Sequence, residues 1–131
     1  MTVELDRLSD YLEHILQAIA RIERYAGPID EETFKRDEMV QDAVIRNLEV
    51  IGEASRNIMI RAPEFAAAHP ELPLASAYQM RNAVAHGYYK VDLEIVWRTI
   101  AADLPGLRAA VQAAARECAA ARGAASGPSG C

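Results

Sequence analysis

Arg81 to Tyr89 reads RNAVAHGYY, a run that brings an arginine, an asparagine, a histidine and two tyrosines into an otherwise aliphatic, alanine-rich chain. A histidine with a side-chain pKa near 6.5 takes or gives a proton at neutral pH, and a guanidinium holds two phosphate oxygens at once. Together they suit phosphodiester cleavage in RNA: the imidazole takes the 2′-hydroxyl proton or returns one to the leaving 5′-oxygen, and the arginine stabilises the charge on phosphorus. Acid and base roles at the same time need two histidines, so this chemistry favours a dimer in which two copies of the segment line one cleft.

Other chemistries find less support. His14, His69 and His86 are scattered and form no Glu-x-x-His pair, so no metal centre is expected. There is no G-x-S-x-G elbow, no catalytic cysteine context and no glycine-rich phosphate loop. The expectation is a chain without metal or cofactor.

Spacing alone leaves the motif open. Arg81 and His86 are five residues apart, which on a continuous helix is about 140° around the axis with a rise of about 7.5 Å. They share a face only if Gly87 lets the chain turn away, if the arginine reaches round, or if a second chain supplies the partner. An arginine and a histidine near a helix end also satisfy loose carbonyls and complement the helix dipole, and Tyr88 and Tyr89 can cover the core edge.

The elements that position this run read as helices. Leu8, Tyr11, Leu12, Ile15, Leu16, Ile19 and Ile22 recur at spacings of three and four, predicting a helix from about Leu5 to Tyr25 that stops at Gly27 and Pro28. A short polar helical turn or connector follows, with Asp30 as candidate N-cap and Glu31 and Glu32 in its first turn. Met39, Val40, Ala43, Val44, Leu48, Ile51, Ala54, Ile58 and Met59 form a second long stripe ending at Pro63, packed antiparallel on the first.

Pro63, Pro70 and Pro73 prevent one regular helix across the next interval. The motif helix then runs from about Leu74 to near Gly87. Asp92 caps a last helix with Leu93, Val96, Trp97 and Ile100 inward, broken or kinked at Pro105. The predicted fold is an all-α, up-and-down bundle of four to five helices over residues 1–122, dimeric, with residues 123–131 as a flexible C-terminal tail.

At 131 residues the chain suffices for one domain and a real core. Its net charge of −5 argues against nonspecific nucleic-acid binding, though not against a small basic pocket. Cys118 and Cys131 suggest neither a metal pair nor a disulfide framework, so the expected compartment is a reducing cytoplasm. The N-terminus has no apolar run of signal or membrane-span length.

The segment MRNAVAHGYYKVDLEIVW resembles the signature of the HepT toxin family, within the HEPN superfamily of helical ribonucleases: Arg, four residues, His, one residue, Tyr. Arg81, His86 and Tyr88 match it position for position, and Asn82, the Val-Asp pair at 91–92 and Trp97 match as well. Upstream, VIRNLEVIGEASRNI resembles the family's second helix and LDRLSDYLEHILQAIARIERY its first, so the likeness covers roughly Leu5 to Val111. Around Leu72 to Leu74 the chain departs from the pattern, with Leu74 after Pro73 where the family has Pro-Trp.

The resemblance implies a dimeric bundle acting as a metal-independent endoribonuclease, the toxin of a type VII-like toxin-antitoxin system. Arg81 would hold phosphate, His86 transfer protons and Asn82 orient the pair. It further implies a cognate minimal nucleotidyltransferase antitoxin that silences the enzyme by adding AMP to Tyr88. Arg46 and Lys90, with Arg98, are candidates for making the cleft locally positive. The rival readings are a non-catalytic helical subunit that docks a nucleotidyltransferase and presents substrate to it, and a plain dimerisation domain.

Several residues invite over-reading. Glu49 and Glu53, four apart on one helix, are expected to form intrahelical ion pairs with Arg46 and Arg56. His14 and His69 are expected at the surface, and Trp97 as a packing anchor.

Overall fold

The computed structural model of the chain describes residues 2–85 and 92–124. All its described elements are helical. α1 (Thr2–Ala26) buries Leu8, Leu12, Ile15, Ile19 and Ile22, one stripe at three- and four-residue spacing. It closes as Gly27 N–H donates to the Glu23 carbonyl at 2.8 Å. α2 (Glu31–Arg36) starts at Asp30, whose carboxylate accepts from the Thr33 amide at 2.9 Å. That backbone hydrogen bond is the main reason the Asp30 carboxyl is held below its ordinary pKa.

α3 (Glu38–Arg61) has its own cap, Asp37, accepting from Val40 N–H at 3.1 Å. It is the central element, packing against α1 on one side and against the motif helix on another. Its burial is correspondingly two-sided: Val44, Leu48, Ile51 and Ile58 are buried, and so are Asn47, Gly52 and Ser55. The two buried polar side chains are satisfied within the helix, Asn47 donating to the Ala43 carbonyl and Ser55 to the Ile51 carbonyl, each at 2.8 Å. Met39, expected in the apolar stripe, is 84% exposed, although Val40 beside it is packed against the core.

α1 and α3 are antiparallel, since Arg7, Leu8 and Tyr11 near the start of one line a hollow with Arg61 and Ala62 at the end of the other. α4 (Pro63–Ala68) is a short rod with proline at its start, where the missing N–H costs nothing. α5 (Leu74–Ala85) carries the first part of the motif. Leu74 is buried, so an aliphatic side chain fills the place where the family pattern has tryptophan.

Asp92 caps α6 (Leu93–Arg98), accepting from the amides of Glu94 and Ile95 at 3.0 and 3.3 Å. Lys35 reaches from α2 to Glu94 at 3.3 Å as well as to its own Glu31, and these two partners raise its pKa, Glu31 most. Phe34 is fully buried, with the Trp97 ring 5.3 Å away.

Pro105 does not break the helical run. A π-helical turn, Thr99–Asp103, precedes it, with Leu104 N–H donating to the Thr99 carbonyl, and α7 (Leu104–Ala124) continues directly. Widening one turn absorbs the hydrogen bond that proline cannot make. α6, the π turn and α7 thus form one rod, and the described residues hold six rods rather than four to five. The additional one is α4, too short to show a periodic stripe, whereas α2 is the short polar helical turn expected at Asp30.

α7 lies along α1, with Leu104, Leu107, Val111, Ala114 and Cys118 buried and Arg108 donating to Glu23 at 2.9 Å. Cys118 is disulfide-bonded, contrary to the expected absence of such a bond, and its partner lies outside the described residues. The cysteines therefore no longer argue for a reducing compartment. Among the described residues no helix is long and apolar enough to cross a membrane.

Candidate functional site

The described part of the motif sits on α5 and is shaped by α3 beneath it. A Cβ placed on Gly52 would overlap the Arg81 Cβ, come within 2.8 Å of the Arg81 Cγ and lie 3.0 Å from the Ala77 carbonyl. Glycine at this one position lets the two helices close until the stem of Arg81 lies flat on the backbone of α3. Gly52 is the residue shaping this seat that reading the motif alone misses. The signal for it was present, a glycine inside an otherwise apolar helical stripe.

The consequence is an arginine whose stem is fixed while its head stays accessible. The Arg81 side chain is 27% exposed. Its Nη1 donates to the Asn82 Oδ1 at 2.9 Å, and its Nη2 lies 3.8 Å from the Glu53 Oε2. Its Nε is buried and has no hydrogen-bond partner among the described residues. A buried donor left unmade costs about 1–3 kcal/mol, a penalty that a bound acceptor could relieve.

Glu53 is half-exposed and its contact with Arg81 is long, so the pair is loose and open to competition from a better anion. The expected intrahelical ion pairs of α3 are thereby corrected. Glu53 turns to Arg81 on the neighbouring helix, and the Arg56 guanidinium stands over the Tyr78 ring at 6.0 Å from its centroid. Both face residues of α5, because that helix offers closer partners than α3 does to itself.

The other candidates are dispersed. Arg46 is exposed on α3, two turns before Glu53, about 10.5 Å along the axis. Arg98 is exposed at the end of α6. His86, Tyr88 and Lys90, with Gly87 and Tyr89, lie outside the described residues, as does the question of how Arg81 and His86 converge. The structure therefore brings together Arg81 and Asn82, and adds Gly52 and Glu53.

His14 is exposed as expected, but His69 is not a surface residue. It caps the end of α4 at 8% exposure, stacked on Phe65 with ring centroids 4.1 Å apart, its Nδ1 3.0 Å from the Phe65 carbonyl and its Nε2 3.4 Å from Glu117 of α7. The chain turns back at this point, Leu72 N–H donating to the His69 carbonyl at 3.0 Å, and the ring is folded under it. A hollow of about 540 Å³ between α5 and the π turn is lined mainly by apolar groups such as Ile51, Met80 and Leu107. It includes neither Arg81 nor Asn82, so the motif's chemistry is not there.

Comparison with known proteins extends this geometry. Residues 15–114 match the family described as Ribonuclease HepT-like. The chain is 43% identical over 99 residues to the "Probable ribonuclease HepT" of Thermococcus cleftensis, covering 76% of this chain and 87% of that protein. It is 39% identical over 103 residues to a "Putative RNase" of Caldanaerobacter subterraneus subsp. tengcongensis, covering 78% and 88% respectively. A longer Methanocaldococcus jannaschii protein, named gamma-glutamylcyclotransferase and putative RNase, is 37% identical over 98 residues, 75% of this chain but 43% of its own length. No solved structure matches the chain.

Proposed function

The chain belongs to the HepT-like ribonuclease family, and from that premise we propose that it is an endoribonuclease cutting RNA by an arginine and histidine mechanism. The observation that carries the reading is the seating of Arg81, its stem clamped on Gly52 and its head tied to Asn82 and loosely paired with Glu53. A phosphodiester is a stronger partner for that guanidinium than a half-exposed carboxylate at 3.8 Å. On arrival it takes the Nη donors and displaces Glu53.

The chemistry then needs only proton transfer. One His86 takes the proton of the 2′-hydroxyl as the 2′-oxygen bonds to phosphorus. The bond from phosphorus to the 5′-oxygen breaks, and a second His86 from a partner copy of the chain protonates the leaving oxygen. Arg81 holds the non-bridging oxygens as their charge grows, and Asn82 keeps its guanidinium in plane. The products are a 2′,3′-cyclic phosphate and a 5′-hydroxyl. No step calls on a metal ion or a cofactor, and the working unit is a homodimer.

Regulation follows from the third motif residue. AMP placed on Tyr88 by a cognate minimal nucleotidyltransferase puts an anionic phosphate two residues from His86, where it occupies Arg81 and repels RNA. A nuclease with such a switch serves as the toxin of a toxin-antitoxin pair.

The test is incubation of the protein, purified without the transferase, with total RNA in EDTA beside His86→Ala. Cleavage by the unmodified protein and its loss in the variant are expected. No cleavage, or equal cleavage by both, overturns the nuclease and leaves the non-catalytic adaptor. After co-expression with the transferase, intact mass should rise by one or more AMP groups and not in Tyr88→Phe; a rise in that variant would refute Tyr88 as the acceptor.

A further inference from the structure

The seam between α3 and α5 continues one turn past Arg81, and what it holds there is not used by the cleavage chemistry. Along α3 the exposed residues of this seam are Arg46, Glu53 and Arg56, in line with half-buried Glu49. On α5, Tyr78 stands three residues before Arg81, a rise of about 4.5 Å, and on the same side of the helix. The helices run antiparallel here, because Gly52 meets Arg81 while Arg56, further along α3, meets Tyr78, earlier on α5.

From this juxtaposition we propose that Arg56 and Tyr78 form a stacking subsite for the base of the nucleotide adjoining the phosphate held by Arg81. The inference rests on the ribonuclease reading above. Three features support it. The half-buried Tyr78 offers a ring on a helix packed against α3, and the exposed Arg56 holds its guanidinium over that ring. The Arg56 Cζ stands 6.0 Å from the Tyr78 ring centroid, short of the roughly 7 Å that a planar base needs between two surfaces, each at about 3.5 Å. A small swing of an exposed side chain opens the rest.

The third feature is the sign of the charge between them. Once the phosphate at Arg81 has displaced Glu53, that carboxylate, three residues before Arg56 on α3, is the anion left beside Arg56, so a second phosphate placed there would meet it. An uncharged base meets no such penalty. The seam thus selects the order phosphate at Arg81 and base at Arg56 and Tyr78, which is the order of groups along one nucleotide.

The test uses a single-stranded oligoribonucleotide with 2′-O-methyl groups, which blocks the attacking hydroxyl, and fluorescence anisotropy. Tyr78→Ala and Arg56→Ala should each raise Kd about fivefold or more, the lower end of what one base stacked on an aromatic side chain contributes. Tyr78→Phe, which keeps the ring, should bind like the wild type. Should Tyr78→Ala lose its helical circular dichroism, Arg56→Ala, at an exposed position, decides the matter alone. Binding within twofold of wild type by the folded variants, with wild-type binding and cleavage intact, overturns the subsite and leaves the nuclease standing. A wild-type protein that neither binds nor cuts RNA overturns both.

Discussion

Arg81 is useful because its position is fixed before substrate arrives. Its stem lies on a glycine and its head makes one short hydrogen bond to its neighbour in sequence. Lysine keeps the charge but offers a single point of attachment in place of a planar fork, and it cannot reproduce the bond to Asn82 together with two contacts to phosphate. Arg81→Lys is therefore expected to lower kcat by about a hundredfold, the scale of losing one positioned transition-state donor. Its melting temperature should stay within a few degrees of wild type, because the Glu53 pair it weakens is long and half-exposed. Steady-state kinetics beside a thermal melt checks both. Arg81 and Asn82 were legible from residue types and from the motif. Glu53 was read as a partner of its own helix, since spacing along one helix says nothing about what the next helix brings closer.

At the scale of elements, the site depends on how closely α5 can approach α3. Gly52→Ala inserts a methyl group against the Arg81 stem and the Ala77 backbone, neither of which can yield without the helices moving apart. Overpacking of this kind costs about 1–3 kcal/mol, against about 1 kcal/mol gained from alanine's better helix propensity. The expected result is a net loss of up to about 2 kcal/mol in denaturant unfolding together with impaired cleavage. Gly106 on α7 is the control, because a Cβ there meets nothing within 4 Å. Gly106→Ala should stabilise by about 0.5–1 kcal/mol and leave cleavage unchanged. A destabilised Gly106→Ala, or a stabilised Gly52→Ala, would contradict this account of the packing.

The long helices were legible because their stripes persist over several turns: Leu8 to Ile22 on α1 and Val44 to Ile58 on α3 are buried as periodicity required. Of the short ones, α2 was legible only as a polar helical turn capped by Asp30, and α4 was not legible at all. Phe34 on α2 and Phe65 on α4 are each the single buried anchor of a six-residue rod, and one anchor makes no period. The π turn before Pro105 was illegible for a related reason. A proline announces a missing donor, whereas the remedy depends on whether the following segment has somewhere to dock, and α7 has the length of α1.

Taken as a whole, the molecule is acidic, with a net charge of −5, yet its proposed task is to hold a polyanion. The two are compatible if contact with RNA is confined to a few arginines along one seam instead of a broad basic face. Charge and motif together left room for a small basic pocket; the seam itself was not legible in the sequence, because Arg56 and Tyr78 are far apart in it. Two copies of His86 complete the proposed site, so the dimer and the chemistry stand or fall together.

The ends of the RNA fragments report most directly on that chemistry. Fragments made in EDTA should carry 5′-hydroxyl groups, accepting radiolabelled phosphate from polynucleotide kinase without prior phosphatase treatment, and 2′,3′-cyclic phosphates at the other end. Fragments bearing 5′-phosphates, or cleavage that EDTA abolishes, would contradict attack by the 2′-hydroxyl under the control of Arg81 and His86.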